Sequence, residues 1–266
     1  MSANAKARPE LSRAHVTEQL RALGVREGGV LVVHTSFRAV RPVEGGPLGL
    51  ISALREALGP DGTLVLPSGS GNDDEPFDPR TTPVRDDLGI VPELFWRQPG
   101  VLRGLHHFDG FAAVGPRAAE IVNAPLKLPP SAPGSPISVV HDLDGQVLLL
   151  GVGHDSNTML HLAELMGGAP YRVPHHYTVL QDGKPIRIDY LENDHCCEGF
   201  SKMDAWLQAA GLQSEGRVGH AQARLARAQD LVRIAVKHLA TDPLVFLHPV
   251  ETGCEECGVA RASVRG

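Results

Sequence analysis

No run of apolar residues in this 266-residue chain approaches the roughly 20 that a membrane-spanning helix requires. The residues before Ala14 also lack the apolar segment of a secretory signal, so the expectation is a cytoplasmic protein with no membrane partner. Basic clusters are missing as well. Lys and Arg number 25 against 31 Asp and Glu, a formal net charge of -6. A nucleic-acid surface needs a stripe of cations that neutralises phosphates, so nucleic acid is excluded and a small cationic partner fits better. The phosphate motifs are absent too: there is no Gly-x-x-x-x-Gly-Lys-Ser/Thr, and Gly151-x-Gly153 lacks the third glycine of a dinucleotide fingerprint. Neither internal repeats nor a linker long enough to separate independent domains is present, so residues 1–266 are expected to form one domain.

Hydrophobic residues make up 42% of the chain, enough for a sizeable core. Leu11 to Leu23 is apolar at helical spacing and stops at Gly24, and Gly28-Gly29 opens the run Val30 to Val33, which reads as helix, turn and buried strand. A second helix over Leu48 to Leu58 leads through Pro60-Asp61-Gly62 into Thr63 to Leu66, and Gln146 to Leu150 is the most apolar strand. Alternation of this kind predicts an α/β fold whose mainly parallel central sheet is flanked by helices. The residues around Asp182-Gly183, from Tyr177 to Glu192, alternate as a hairpin and predict a smaller antiparallel element. Met203 to Leu239 reads as largely helical, and Pro67 to Leu88 as a long loop carrying function.

After the Gln146 strand, His154-Asp155-Ser156-Asn157 supplies capping residues and Gly167-Gly168 a stop, so a helix is expected between them. Thr158, His161 and Glu164 then share one face. At this spacing Glu164 can hold the imidazole of His161 in one tautomer and favour its charged form, which is a base with its orienter. A half-buried, satisfied histidine is the plainer reading, but the start of a helix beyond a parallel strand is where open α/β sheets gather ligands. His154, nearer the strand end, is a cap or a pocket wall. His34-Thr35-Ser36-Phe37-Arg38, at the end of the first strand, offers hydroxyls, amides and a guanidinium to an anion, or else is a capped loop.

The cysteines are few and clustered: Cys196-Cys197 and Cys254-x-x-Cys257. Outside an oxidising compartment this points to metal before disulfide. Extended backbone puts Glu192, Asp194 and Cys196 on one face and His195 and Cys197 on the other. The favoured zinc ligands are therefore His195, Cys197, Cys254 and Cys257, with Cys196 as substitute where the strand bends and His248 as an outside candidate. Such a closed site is structural and would tie the 248–258 tail to residues 170–200 as a minor subdomain. Reduced thiols that bind nothing are the alternative.

Val-His-Thr-Ser-Phe-Arg at 33–38, Gly-Thr-Leu-Val-Leu-Pro-Ser at 62–68 and Thr-Met-Leu-His-Leu-Ala-Glu at 158–164 resemble the aminoglycoside 3-N-acetyltransferase family, in order and in spacing. Asp-Asp-Glu-Pro-Phe-Asp-Pro at 73–79, Glu-Asn-Asp-His-Cys-Cys-Glu at 192–198 and Gly-Cys-Glu-Glu-Cys at 253–257 look like its type IV, apramycin-acetylating branch. The chain departs from the family at Leu105-His106-His107-Phe108, where His-Pro is common. The resemblance implies acetyl-coenzyme A as donor, a 2-deoxystreptamine aminoglycoside as acceptor at its 3-amino group, and resistance to these antibiotics. It also implies a fold distinct from the general N-acetyltransferase superfamily, whose Arg/Gln-x-x-Gly-x-Gly/Ala motif is absent. The loop at 34–38 then becomes the coenzyme site.

A protonated acceptor amine needs a base, the role expected of His161 with Glu164 behind it. Thr158 and backbone amides near Thr35-Ser36 are the expected oxyanion donors. With every cysteine read into a metal cluster and no Gly-x-Ser-x-Gly elbow, direct transfer is expected. A polycationic acceptor calls for carboxylates, for which Asp73, Asp74, Glu192 and Asp194 are the candidates, with His154 as a pocket wall. Acetylation of a different small amine, or non-enzymatic sequestration of cations by a zinc-stabilised module, are the competing readings. The oligomeric state is not legible.

Overall fold

The computed structural model describes residues 8–105, 110–125 and 128–264. In chain order the elements are α1 (Arg13–Leu23), β1 (Val30–Thr35), α2 (Phe37–Val40), α3 (Gly46–Leu58), β2 (Thr63–Pro67), α4 (Ile90–Trp96), β3 (Leu102–Arg103), β4 (Phe111–Val114), α5 (Ala118–Val122), α6 (Pro136–Asp142) and β5 (Gln146–Leu150). They continue as α7 (Met159–Met166), β6 (Val173–Gln181), β7 (Lys184–Glu192), α8 (Lys202–Ala209), β8 (Gln213–Val218), β9 (Ala221–Arg227), α9 (Ala228–Leu239) and α10 (Glu255–Ser263).

Seven strands form one sheet in the order β3-β4-β2-β1-β5-β9-β8, and β6 with β7 forms a separate antiparallel hairpin. The α/β class, the parallel centre and the small antiparallel element agree with the sequence reading. At the centre, β1 runs parallel to both β2 and β5, with Val32 opposite Val65 and Val147. These strands are apolar through their middles because both faces are covered, with polar residues only at their ends, Thr63, Gln146, His34 and Thr35. Val30 and Val32 of β1, with Val147 and Leu149 of β5, enter a core shared with α5, α6, α7 and α9. Leu31, Val33, Leu148 and Leu150 enter the opposite core, built with α1, α3 and α4. The carboxyl ends of the three parallel strands, at Thr35, Pro67 and Leu150, therefore open on one edge of the sheet.

One stretch departs from expectation. Met203 to Leu239 contains α8 and α9, but β8 and β9 lie between them, pairing antiparallel with each other and, through β9, with β5. Ala, Arg and Gln in this segment favour helix intrinsically. Burial of Ala221, Ala223 and Leu225 on one face and a left-handed turn at Gly219 favour the strand pair instead, and packing outweighs propensity here.

At the end of β5, Gly151 adopts φ +73°, and a Cβ there would lie 2.6 Å from the Cβ of Ala39. Its lack of a side chain thus lets β5 turn against α2, which is a packing role and not a phosphate-binding one. Among the described residues, no helix is long and apolar enough to cross a membrane.

Candidate active site

A 3-10 turn, His154–Ser156, follows β5 and hands the chain to α7. Asn157 starts that helix: its side-chain oxygen accepts from Met159 N–H at 3.2 Å, while its amide bonds His154 Nδ1 at 3.1 Å. On α7, His161 Nδ1 donates to Glu164 Oε2 at 3.0 Å. Glu164 is fully buried, and its other oxygen accepts from His195 Nε2 at 2.8 Å and from the Tyr171 hydroxyl. Three donors converge on one carboxylate, so its charge is compensated where an isolated one would be prohibitive. Burial opposes ionisation of Glu164, but hydrogen bonds from His161 and His195 prevail and hold its pKa below the usual carboxylate range.

Because Nδ1 of His161 is committed to Glu164, Nε2 is the ring nitrogen left for another partner. The side chain is 18% exposed. Burial disfavours the charged ring, yet Cys197 and Glu164 outweigh burial and raise its pKa well above the ordinary histidine value. Cys197 Sγ lies 3.6 Å from Nε2. The sequence reading placed Cys197 in the metal set; here it lies beside His161, and the metal-capable groups among the described residues contain Cys196 and Cys257 instead.

A cleft of about 180 Å3 at the carboxyl edge of the sheet is lined by His34, Thr35, Arg85, Asp155 and Thr158, among others. Thr158 caps α7 without a side-chain capping bond, so its hydroxyl is not spent on the helix. His34 Nε2 and Thr35 Oγ1 are buried and have no hydrogen-bond partner among the described residues. Burial first, then the charges of Arg85 and His154, lower the pKa of His34 to about 4, so its ring is neutral. The remainder of the 34–38 loop behaves differently. Ser36 N–H is spent on Leu150 O at 3.0 Å and is no oxyanion donor; Phe37 packs on the core and Arg38 is exposed.

His154 is not a pocket wall. It is 1% exposed and both ring nitrogens are engaged, Nε2 with Gln213 Oε1 at 2.9 Å and Nδ1 with Asn157.

The carboxylates picked from sequence gather around the hairpin. His175 Nε2 lies 3.0 Å from Asp194 Oδ2, His176 Nε2 lies 2.8 Å from Asp74 Oδ1, and Thr178 Oγ1 donates to Asp73 O at 2.8 Å. Glu192 and Asp73 also act electrostatically on His175, and Asp194 senses His161 and His195. Arg103 holds the 68–85 loop that carries Asp73 and Asp74, donating to Ser68 O at 2.6 Å and to Thr82 O while stacking on Trp96.

The model of the aminoglycoside 3-N-acetyltransferase family matches residues 32–240. The chain belongs to this family. It is 63% identical to aminoglycoside N(3)-acetyltransferase IV from Salmonella sp. over 92% of this chain and 93% of that one. The crystal structure of the aminoglycoside acetyltransferase AAC(3)-IVa apoenzyme superposes with a TM-score of 0.95 at 62% identity, covering 97% and 99% of the two chains. A histidine-to-alanine variant of that enzyme has been solved with a gentamicin and with apramycin. The AAC-IIIb binary complex with CoASH superposes at 0.80 with 25% identity, covering 88% and 97%. The chain is thus an acyltransferase of the aminoglycoside 3-N-acetyltransferase family, and its fold is that of these enzymes.

Within this family frame, the residues that sequence reasoning overlooked are Tyr171, His175, His176 and Arg103. The first three lie between the quoted motifs at 158–164 and 192–198, and Arg103 is a lone cation. No spacing in the sequence joins them to their partners.

The thiols also divide differently from expectation. The expected alternation of faces does not extend to 197, because the strand ends at Glu192 and the chain bends beyond it, with Cys197 at φ +60°; His195 and Cys197 turn toward Glu164 and His161. His195 bonds Glu164 through Nε2 and accepts from Cys197 N–H at 3.0 Å, and it also forms a metal-capable group with Cys196 and Cys257, whose ligand atoms lie within 4.8 Å of one another. It is Cys196 that meets the C-terminal pair, with Sγ 3.6 Å from Cys257 Sγ, and Cys254 interacts with both. His248 is drawn alongside: its N–H donates to Cys257 Sγ at 3.4 Å, and its Nε2 shares a cluster with Cys196 and Glu198. His106 and His107, where the chain departs from the family, lie outside the described residues.

Proposed function

We propose that this protein transfers the acetyl group of acetyl-coenzyme A to the 3-amino group of 2-deoxystreptamine aminoglycosides, apramycin included, and so confers resistance to them. The observation that carries this reading is the Glu164–His161 pair, with Nδ1 held by a buried carboxylate and Nε2 directed away from it. Neutral His161 takes a proton from the acceptor ammonium, and the freed amine attacks the thioester carbonyl. The C–N bond forms, the C–S bond breaks, the imidazolium returns its proton to the departing thiolate, and the second proton on the amine nitrogen passes to solvent. The Thr35 and Thr158 hydroxyls, both lining the cleft, are our oxyanion donors. His34 and Thr35 line the coenzyme arm's path, and Arg38 offers an exposed cation to its phosphates. Asp73, Asp74, Glu192 and Asp194 receive the ammonium groups of the acceptor. The relatives solved with gentamicin, apramycin and coenzyme A support this choice of substrates, and a coenzyme A donor implies a cytoplasmic site of action.

A second chemical route is favoured by one distance, the 3.6 Å between Cys197 Sγ and His161 Nε2. In it, His161 takes the thiol proton, Cys197 receives the acetyl group as coenzyme A leaves, and the amine then displaces the thiol. Direct transfer remains our reading, because it needs only the amine at Nε2 and no intermediate.

Zinc fits the thiol cluster. Two thiolates at about 2.3 Å in a tetrahedral site stand about 3.8 Å apart, close to the 3.6 Å between Cys196 and Cys257. We assign Cys196, Cys254, Cys257 and His248 as ligands, fastening the 248–258 tail to the 170–200 segment. The metal would supply stability, not chemistry.

Coenzyme A release with apramycin, gentamicin and a simple diamine tests the function. Turnover with both drugs and none with the diamine is expected. Equal turnover with the diamine would place the enzyme among acetyltransferases of other amines, and no release with any acceptor would leave a binding module.

A further inference from the structure

Two of the proposed acceptor carboxylates already have histidine partners. His175, on β6, has Nε2 3.0 Å from Asp194 Oδ2, and its side chain is 21% exposed. Facing it are Asp194 beyond the end of β7, Glu192 at the end of β7, Asp73 from the 68–85 loop, and the Tyr190 ring at 5.9 Å. His176, the next residue, holds Asp74 in the same manner at 2.8 Å. Two neighbouring histidines thus stand where an acceptor rich in ammonium groups must find its partners. Lysine or arginine in these positions would be a permanent competitor for the carboxylates, whereas histidine can surrender its charge near neutral pH.

We propose that His175 is an internal counter-cation of the acceptor pocket, and that a substrate ammonium arriving at Asp194 expels the proton of His175 to solvent. The inference rests on the acceptor reading above. The proton leaves Nε2, the substrate ammonium replaces it beside Asp194, and the charge of the cluster is conserved. Asp194 is the strongest influence on His175; its hydrogen bond outweighs burial and, with help from Glu192 and Asp73, raises the pKa of the free enzyme's imidazole. Below that pKa the acceptor must displace a charged partner; above it the carboxylate is open. Acceptor affinity therefore falls as pH falls through the His175 ionisation, the reverse of what the acceptor's own amines impose, since these gain charge at low pH.

Calorimetry of apramycin binding to the full chain, near neutral pH in two buffers of different ionisation heat, reads the proton directly. The wild type should release up to one proton more per apramycin than His175→Gln, which keeps a donor for Asp194 but cannot titrate. Histidine-ring NMR of the wild type should show the His175 pKa falling when apramycin saturates the protein. Identical proton counts in the two proteins, or an unchanged His175 pKa in the complex, would overturn the inference while leaving the acceptor site intact. Asp194→Asn binding apramycin as tightly as the wild type would overturn the acceptor assignment and this inference together.

Discussion

Replacing Glu164 by glutamine keeps the shape of the side chain and removes its charge from three hydrogen bonds. The carboxylate accepts from His161, His195 and Tyr171, and it is fully buried. Glutamine has one acceptor oxygen, and its amide meets at least one of those donors head-on. Hydrogen bonds to a charged group contribute about 1.5–3 kcal/mol each. Breaking a buried charge pair costs about 3–5 kcal/mol, the scale expected for this variant. At roughly 2–4 °C per kcal/mol for a chain of this size, Tm should fall by about 10 °C, and the protein should stay folded at 25 °C. Turnover should fall by about 100-fold or more, because the ring of His161 is no longer held in one tautomer. The pH profile carries the sign. In the wild type the base must lose a proton that Glu164 helps to retain, so kcat/KM rises with pH up to the raised His161 pKa. Without the carboxylate only Cys197 still offsets burial, so that acidic limb moves to lower pH. Coenzyme A release measured across pH, beside thermal unfolding, checks all three effects. A variant with wild-type turnover and an unmoved acidic limb would refute the orienting role.

Asp73→Asn or Asp194→Asn should raise the aminoglycoside KM by about tenfold, the scale of one lost charge-assisted contact, and leave the acetyl-coenzyme A KM unchanged. Equal rises in both constants would indicate a folding defect. Cys197→Ala should retain turnover within about fivefold if transfer is direct, and rapid quench with mass spectrometry should find no acetylated chain; loss beyond about 100-fold would favour the acetyl-cysteine route. Metal analysis of protein purified without chelator should find zinc, and Cys254→Ser should lose it and lower Tm while KM for both substrates holds. Metal-free protein of full stability would remove the zinc site.

The sheet centre was legible because strands covered on both faces have no polar alternation to confuse them: Val30 to Val33 and Gln146 to Leu150 can hardly be anything else. The His161–Glu164 pair was legible because both residues lie on one helix, where spacing dictates contact. Contacts made across the chain were not. Tyr171 and His195 reach Glu164 from outside α7, and their roles exist only once the 192–197 segment has turned. Alternation could not place Cys196 and Cys197, because the strand stops at Glu192 and the chain bends before them; their partners depend on where α10 docks, and α10 is placed by contacts such as Arg172 N–H to Ser263 Oγ at 2.9 Å. The β8–β9 pair was read as helix because its residues carry helical propensity, and the edge of β5 that recruits it is distant in sequence.

The central claim is that His161 is the general base, and His161→Ala tests it most directly when coenzyme A release with apramycin is followed under saturating acetyl-coenzyme A. Turnover should drop by at least about 100-fold, with the acetyl-coenzyme A dissociation constant within about twofold of the wild type. Turnover near the wild-type level in a folded His161→Ala protein would contradict the assignment.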